Sequence, residues 1–564
     1  MFIVVIAFTA CKSIRSNKQQ GNSEAQSELN EQISPLIKGE MDSIVHADTT
    51  IIYCDYLQSP SLILKYYTKT NYNPIWLGTN GLSAMGDTLV SVIRNCYKDG
   101  LDSAQYHLAD IDALCKKAFA NKKITKPSRS IAHLDVLLTD AFFTYAAQQY
   151  AGCIHSPTQN VDWAQNFKSI SLTDSLQKAS ESGQIGNILK NFVCTQPQYI
   201  ALKKVLSRFL DFRNKGSWTT LPEDTHLEKG DTGARVTLLY KHLLLTGDIT
   251  DNHNAANIVY DDSLAEAVKR YQTRNGLKIT GKISDPEAKE LNKDINERIN
   301  QIELNMERMR WLPRKMPQTF VMVNIAGFNL VVVDSNKPAL TMKVIAGKPY
   351  KQTPLFISTI TYITLNPWWI VPESIATGEM LPAVKKDRNY LEKKNIKVYA
   401  SLQPNAPEVS PSKIKWNTLT ASNFRYHFRQ TPGSWNSLGR YLFMFPNTYD
   451  VYLHDTPNKN LFSEQARAFS HGCMRIEKPL DLAEYLLKEN TGWTKDHISE
   501  VVASDEKDVK IILKKPVDIY ICYWTAWVND NGQISFVPDI YNYDQSLNDD
   551  LHKCSPQIHR GAQP

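Results

Sequence analysis

The chain has 564 residues and a formal net charge of +6, and 42% of its residues are hydrophobic, 22% charged and 10% aromatic. At roughly 100–200 residues per domain, this length predicts about three to four folded units. The composition excludes a globally disordered chain, because enough apolar surface is present to form ordinary cores. The small net charge, with no dense basic stripe, gives no reason to expect nucleic acid as a partner.

The N-terminus resembles a bacterial export signal with a lipidation site. Residues 1–10 (MFIVVIAFTA) are apolar, and the segment that ends in Ala10-Cys11 is similar to a lipobox, although no Lys or Arg precedes the run. The run has the length of a signal-peptide core and is shorter than the roughly 20 residues that span a bilayer. We expect residues 1–11 to be this signal, with Cys11 lipidated; a frayed apolar N-terminus is the alternative. Residues 12–50, rich in Ser, Asn, Gln and Glu, are expected to form a flexible tether.

Residues 51–222 have the pattern of a helical scaffold domain. The segment Ser130–Gln149 repeats apolar residues at helical spacing. Pro197 is expected to divide Ile185–Phe212 into two helices, because proline lacks the N–H that a helix interior requires. No residues in this region form a chemical motif, so it is interpreted as a scaffold.

A separate module occupies residues 223–296. Gly230 and Gly233 suit a turn before a first helix, and Val268 and Tyr271 give a second helix an inward face. The Gly-x-x-Gly-x-x-Val opening and the Ala-Val-x-x-Tyr-Gln helix resemble the small three-helix peptidoglycan-binding domain found beside many cell-wall enzymes. The resemblance implies wall binding; a helical domain without a ligand is the alternative.

After a charged connecting helix at residues 297–317, the apolar pattern changes to a period of two. The runs around residues 320–334 predict a β-hairpin, and further predicted strands follow. We interpret residues 318–500 as a β-rich catalytic domain, with a polar, proline-containing insertion at about 387–425 that forms an insertion or a lid. Residues 501–564 are expected to be a strand-rich extension. The expected fold class is therefore multi-domain α+β.

The chemistry centres on Phe469-Ser-His-Gly-Cys-Met-Arg475. Gly472 permits a tight turn directly before Cys473 and brings backbone N–H groups near the sulfur, where they could form an oxyanion hole. In a strand, Tyr452 and His454 point to the same face. A histidine beside a cysteine favours the thiolate and can later protonate a leaving amine.

The pattern His454…Ser470-His-Gly-Cys-Met-Arg475 resembles the signature of the YkuD-type L,D-transpeptidases. Three further segments are similar to the large, multi-domain branch of that family: RWLPR at 310–314, GKPYKQTP at 347–354 and YLHDTP at 452–457. The resemblance covers roughly residues 220–540. It implies acyl transfer on peptidoglycan stem peptides without a metal or an organic cofactor.

The resemblance also implies catalytic roles, position by position. Cys473 is expected to be the nucleophile and His454 the general base and acid. The backbone N–H groups of Gly472 and Cys473 are expected to bind the oxyanion, and Tyr452 to line the site near this pair.

Five further residues are candidates for shaping the site or binding substrate. Ser470 and His471 are expected to shape the loop, and a purely structural role is the alternative for His471. Arg475 is expected to anchor the loop or pair with a substrate carboxylate, against the alternative of a surface ion pair. Trp368 and Trp369 are expected to form an aromatic wall of the donor cleft, with core packing as the alternative.

The expected function is an L,D-transpeptidase that releases terminal D-alanine from tetrapeptide stems and forms 3→3 cross-links through a cysteine acyl-enzyme. An L,D-carboxypeptidase or cross-link hydrolase would use the same residues, and a non-catalytic wall-binding scaffold is the third possibility. The expected location is the periplasm, on a lipid anchor in the inner leaflet of the outer membrane. We expect a monomer, and carbapenems are expected to acylate Cys473.

Overall fold

A computed structural model describes residues 4–45, 57–120, 124, 127–154, 170–250, 258–403, 405–504 and 506–554. In these ranges the chain folds into a helical N-terminal part, a small helical module and a β-rich domain with an inserted subdomain. The predicted multi-domain α+β class is confirmed. No helix in the described ranges is long and apolar enough to cross a membrane.

The N-terminal part packs around one long buried helix. The predicted helix over Ser130–Gln149 is confirmed, and the two helices around Pro197 are present. Asp135 on the central helix accepts hydrogen bonds from Trp76 N (2.9 Å) and Tyr67 Oη (2.5 Å), which fixes the preceding segments on it. The elements are α1 (Val4–Val45), α2 (Pro60–Lys69), β1 (Leu77–Gly78), β2 (Gly81–Leu82), α3 (Ala84–Arg94), α4 (Leu108–Ala118), α5 (Arg129–Ala151), α6 (Leu172–Ser182), α7 (Ile185–Lys190) and α8 (Pro197–Lys215).

Helix α1 corrects the expectation of a flexible tether over residues 12–50. Leu29, Ile33, Ile37 and Met41 recur every four residues and are buried in the core of the scaffold. This apolar stripe packs α1 along α5, and the polar residues between the stripe positions face solvent. Residues 46–50 lie outside the described part of the chain, as does the side chain of Cys11, where lipidation is predicted.

The module at residues 223–296 consists of α9 (Ala234–Thr246), α10 (Asp262–Arg274) and α11 (Asp285–Leu291). Val268 and Tyr271 are buried in its core, as predicted. Arg274 forms a buried ion pair with Asp248 at 2.6 Å and also donates to the carbonyl oxygen of Ile534. The module is therefore attached to the C-terminal part of the β-rich domain through a buried contact.

Helix α12 (Ile295–Arg310) was predicted as a charged connecting helix, but in the structure it is also part of the main core. Its apolar face is buried in the main core, where it packs against α8. Several of its charged residues are also buried, because they have partners: Arg310 pairs with Glu307 in the same helix at 3.1 Å, and Arg308 pairs with Asp544 at 2.5 Å. Scaffold helix α8 shares this core with the β-rich domain, so the predicted boundary at residue 222 does not separate two independent cores.

The β-rich domain begins with four strands, which include the predicted hairpin: β3 (Thr319–Asn324), β4 (Asn329–Asp334), β5 (Lys337–Gly347) and β6 (Phe356–Leu365). The inserted subdomain follows, and we call it the lid. Its elements are β7 (Trp369–Ile370), α13 (Glu373–Ile375), α14 (Leu381–Lys386), α15 (Tyr390–Lys393), β8 (Ile396–Tyr399) and β9 (His427–Gln430), with a π-helical turn at Ala376–Met380.

The lid is larger than the insertion predicted at about 387–425. It has a core of its own, to which Met380 and Val384 contribute from before that range and Phe428 from after it. A three-stranded sheet in the order β7-β9-β8 connects its two ends. The prediction followed the polar composition of the middle of the segment and missed its apolar flanks.

The remaining elements complete a nine-stranded sheet in the order β12-β5-β13-β11-β10-β6-β14-β3-β4. Strand β14 lies inside this sheet, between β6 and β3, so the domain does not end at residue 500 and residues 501–564 are not simply an extension. The elements are β10 (Tyr441–Met444), β11 (Leu453–His454), β12 (Ala468–Ser470), β13 (Met474–Ile476), α16 (Pro479–Leu487), α17 (Lys495–Ala503), β14 (Val509–Cys522), β15 (Ala526–Val528), β16 (Ile534–Phe536) and α18 (Tyr543–Cys554).

Candidate active site

Two neighbouring strands bring the predicted nucleophile and base together. Strands β11 and β13 run parallel, with Leu453 opposite Met474 and His454 opposite Arg475. Cys473 directly precedes β13, so the register places it beside the end of β11. Cys473 and His454 line the same cavity, as the sequence motif predicts.

This cavity has a volume of about 500 Å³ and lies between the catalytic sheet and the lid. The sheet and its loops contribute Tyr452, His454, Ser470, His471, Cys473 and Arg475. The lid contributes Trp369, Glu379, Met380, Lys394 and Gln430. A site with these two walls can hold an extended chain beside the thiol and limit its contact with water.

The Cys473 thiol is neutral at physiological pH in this arrangement. Burial raises the pKa of the thiol to about 11, although hydrogen bonds from the backbone and side chain of Tyr452 and the charge of Arg475 act in the opposite direction. The sulfur lies 3.9 Å from the carbonyl oxygen of Asp450. A proton must therefore leave the sulfur during the reaction.

His454 is neutral and can accept that proton. Burial, and next the charge of Arg475, lower the pKa of its imidazole to about 3, and these effects outweigh the backbone contacts to Asp455 and Leu438 that favour the charged ring. Its Nδ1 lies 2.5 Å from the carbonyl oxygen of Asp455. The Asp455 carboxylate accepts from Arg440 N–H at 2.8 Å, which fixes the segment that orients the ring.

The two neutral groups differ from the expected arrangement, in which the histidine favours a thiolate. The reason is burial, since it destabilises the imidazolium and the thiolate alike. A neutral pair is still competent, because the proton can move from sulfur to imidazole as the new bond forms.

The turn at Gly472 needs a glycine but does not leave its N–H free. Gly472 has a φ of +120°, which side chains rarely adopt. Its N–H donates to Ser470 Oγ at 3.2 Å, and Ser470 Oγ donates to the carbonyl oxygen of Cys473 at 2.5 Å. The Gly472 carbonyl accepts from Thr353 Oγ1 at 2.8 Å. The predicted oxyanion donor is thus engaged within the loop, because the Ser470 hydroxyl folds back into the turn.

Tyr452 contacts the nucleophile directly. Its ring centroid lies 6.0 Å from that of His454, and its side chain interacts with Cys473 and with Trp369. Burial and the neighbouring Cys473 raise the pKa of Tyr452, so the phenol stays protonated. It is a neutral donor beside the position where negative charge would develop on a bound carbonyl group.

His471 connects the catalytic loop to the lid. Its Nε2 lies 2.5 Å from Oε1 of Glu379, which belongs to the π-helical turn of the lid. His471 was predicted to have either a loop-shaping or a purely structural role. The contact with Glu379 could not be predicted from the residues around His471, because Glu379 belongs to the lid.

Arg475 and the tryptophans are placed differently from one another. Arg475 lines the cavity, and its buried Nε has no hydrogen-bond partner in the described part of the chain. Burial lowers the pKa of this guanidinium. The surface ion pair offered as an alternative is not what the structure shows. Trp369 lines the cavity and packs on the lid core, whereas Trp368 does not reach the cavity.

Sequence reasoning missed several lining residues. Lys351, Glu379, Lys394 and Asp450 all reach the cavity but stand outside the recognised motif, apart from Lys351 within GKPYKQTP. Thr353 in the same segment donates to the catalytic loop. Among these residues, only Lys351 and Thr353 lie in a segment that resembles the family. That resemblance did not assign either residue a role.

Comparison with known proteins agrees with this geometry. Residues 318–519 match the family model YkuD, an L,D-transpeptidase catalytic domain, and residues 61–206 match a model described as a scaffold domain. The chain is thus a multi-domain protein whose β-rich part is similar to L,D-transpeptidase catalytic domains of the YkuD type.

One curated protein and two solved structures are similar to parts of this chain. A curated Haemophilus influenzae protein, whose name assigns it to the L,D-transpeptidases, is 36% identical over 245 residues, covering 43% of this chain and 48% of that protein. The chain thus matches about half the length of this relative. An L,D-transpeptidase structure from Stackebrandtia nassauensis is 12% identical, with a TM-score of 0.20, covering 53% of this chain and 97% of its own. An L,D-transpeptidase structure from Mycobacterium smegmatis is 12% identical, with a TM-score of 0.17. The match covers 36% of this chain and 58% of the chain in that structure.

Proposed function

We propose that this protein is an L,D-transpeptidase that forms 3→3 cross-links between peptidoglycan stem peptides through an acyl-enzyme on Cys473. The observation that supports this most strongly is the shared cavity of Cys473 and His454 within a domain of the YkuD family. A neutral thiol and a neutral imidazole suit acyl transfer, which needs a nucleophile and a group that carries its proton.

In the first step, the Cys473 sulfur attacks the carbonyl carbon of the third stem residue, and His454 takes the thiol proton. The C–S bond forms, the C–N bond to the terminal D-alanine breaks, and His454 gives the proton to the departing amine. A thioester remains on Cys473. Because the buried imidazolium is destabilised, His454 holds the proton only briefly and returns it readily.

In the second step, the side-chain amine of another stem attacks the thioester. The C–N bond of the cross-link forms, the C–S bond breaks, and His454 transfers a proton from the amine to the sulfur. A thioester suits this step because it is activated toward amines. If water attacks instead, the product is a tripeptide, so hydrolysis uses the same residues and differs only in the acceptor.

The oxyanion of each tetrahedral intermediate needs hydrogen-bond donors. The Gly472 N–H is engaged by Ser470, so the Tyr452 hydroxyl and the Cys473 N–H are the donors assigned here. Trp369 lines the cavity beside Tyr452 and acts to lower the pKa of its hydroxyl. Arg475 lines the cavity and is half-buried, and its Nε has no partner among the described residues, so it is the group assigned to a substrate carboxylate.

The proposal includes the setting of the reaction. The module formed by α9 to α11 would hold the enzyme on the wall, and lipidation at Cys11 would anchor it to the periplasmic face of the outer membrane as a monomer. Radiolabelled palmitate incorporated by wild type and absent from Cys11→Ala would support the anchor, and equal labelling of both would refute it.

Trapping the acyl-enzyme tests the catalytic proposal. The purified protein is incubated with a tetrapeptide donor, quenched in acid and weighed by mass spectrometry. A mass increase equal to the donor without its D-alanine, located at Cys473 and absent from Cys473→Ala, is expected. A carbapenem should label the same residue, and an adduct that persists in Cys473→Ala would overturn the assignment.

A further inference from the structure

The cavity that holds Cys473 is lined by more cationic than acidic side chains. Lys351, Lys394 and Arg475 line it, and in the described part of the chain neither lysine ammonium has an ion-pair partner. These charges suit a donor stem, which carries carboxylates. They do not suit the acceptor, because an amine that attacks the thioester arrives as an ammonium ion and is repelled by the same cations.

Two acidic residues line this cavity, and one of them is already engaged. Glu379 accepts from His471 at 2.5 Å, in the contact between lid and loop. The Asp450 carboxylate is exposed and has no ion pair or side-chain hydrogen bond in the described ranges. It is the negative group left available to a ligand.

Asp450 is also held close to the nucleophile. It has a φ of +53°, and this turn directs its carbonyl oxygen to 3.9 Å from the Cys473 sulfur. Asp450 lines the same cavity as Cys473 and Tyr452, and its negative charge acts to raise the pKa of both groups. The segment continues directly into β11 and His454.

From this geometry we infer that Asp450 binds the ammonium group of the acceptor and so directs the acyl-enzyme toward amines in preference to water. The inference rests on the proposed function and names the part of the site that selects its second substrate. The bound ammonium releases one proton to solvent, and the amine nitrogen then bonds to the thioester carbonyl carbon. The C–S bond breaks, and the second amine proton passes through His454 to the sulfur.

The test compares wild type with Asp450→Asn and with Asp530→Asn. Asparagine accepts positive φ, so the first variant keeps the turn. Asp530 is exposed in the β15–β16 turn and does not line the cavity, so its variant removes the same charge outside the site. Each protein receives tetrapeptide donor and a varied concentration of amine acceptor, and dimer and tripeptide are quantified. The same proteins are then assayed with hydroxylamine, which is uncharged at neutral pH.

In Asp450→Asn, the acceptor concentration that gives half-maximal dimer should rise about fivefold at low salt, as expected for loss of one exposed charge interaction. The effect should shrink at high salt. Partition to hydroxylamine and the rate of donor acylation should not fall, and Asp530→Asn should match wild type.

An unchanged dimer-to-tripeptide ratio in Asp450→Asn overturns the inference while the proposed function stands. An equal loss with hydroxylamine also overturns it, because Asp450 would then only shape the loop. A wild-type protein that forms tripeptide but no dimer contradicts the inference and assigns the site to hydrolysis. A wild-type protein that forms no acyl-enzyme contradicts the proposed function itself.

Discussion

The protonation state of Cys473 gives the sharpest test of the site chemistry. Burial raises the pKa of the thiol to about 11 from an ordinary value of 9.0. At pH 7 the thiolate fraction is then about one in ten thousand, against about one in a hundred for an unperturbed thiol, which is roughly a hundredfold difference. Alkylation by iodoacetamide requires the thiolate, so its rate should follow this fraction.

The assay measures the second-order rate of Cys473 alkylation from pH 6 to pH 10.5, with the modified residue identified by peptide mapping. The logarithm of the rate should rise with a slope of about one across this range, because the thiol titrates near the upper end. His454→Gln should leave the profile unchanged, since a histidine with a pKa of about 3 carries no charge to stabilise the thiolate.

A plateau below pH 9 would refute this reasoning. If the plateau also disappeared in His454→Gln, the resting state would be a thiolate–imidazolium pair and not the neutral pair. The comparison of slopes is independent of how easily the reagent enters the cavity, because access changes the absolute rate and not its pH dependence.

Three further outcomes follow from the contacts described. Ser470→Ala removes both hydrogen bonds that the hydroxyl makes within the catalytic loop and should slow donor acylation about tenfold, measured by the rate of acyl-enzyme formation. Asp248→Ala leaves Arg274 buried without its partner and should destabilise the module by about 3–5 kcal/mol in thermal unfolding, whereas Asp262→Ala, in an exposed pair, should change little. Glu379→Gln weakens the contact between lid and loop and should increase amide hydrogen exchange in the lid; unchanged exchange would exclude that role.

The catalytic pair was predictable because its signal is local. Cys473, Gly472 and Ser470 lie in one short segment, and His454 in another whose alternation predicts a strand. The structure places all four at one cavity or its loop. The hydrogen bond that engages the Gly472 N–H was not predictable, because it depends on the rotamer of the Ser470 hydroxyl.

Long-range pairing explains most of the remaining errors. Strand β14 enters the middle of the sheet because it pairs with β3 and β6, and nothing within residues 509–522 indicates those partners. Helix α12 was predicted only as a charged connecting helix, and the sequence did not show that Arg310 and Glu307 pair with each other in the core. Helix α1 was misjudged from composition, since four apolar residues at fixed spacing are enough to dock an otherwise polar helix.

The most direct test of the proposed function is the product of the complete reaction. The purified protein and its Cys473→Ala variant are incubated with disaccharide-tetrapeptide, and the products are identified by mass spectrometry. Cross-linked dimer that has lost one D-alanine, formed by wild type and absent from the variant, is the predicted result. Tripeptide alone would assign the site to an L,D-carboxypeptidase, and no turnover by wild type would contradict acyl transfer on this substrate altogether.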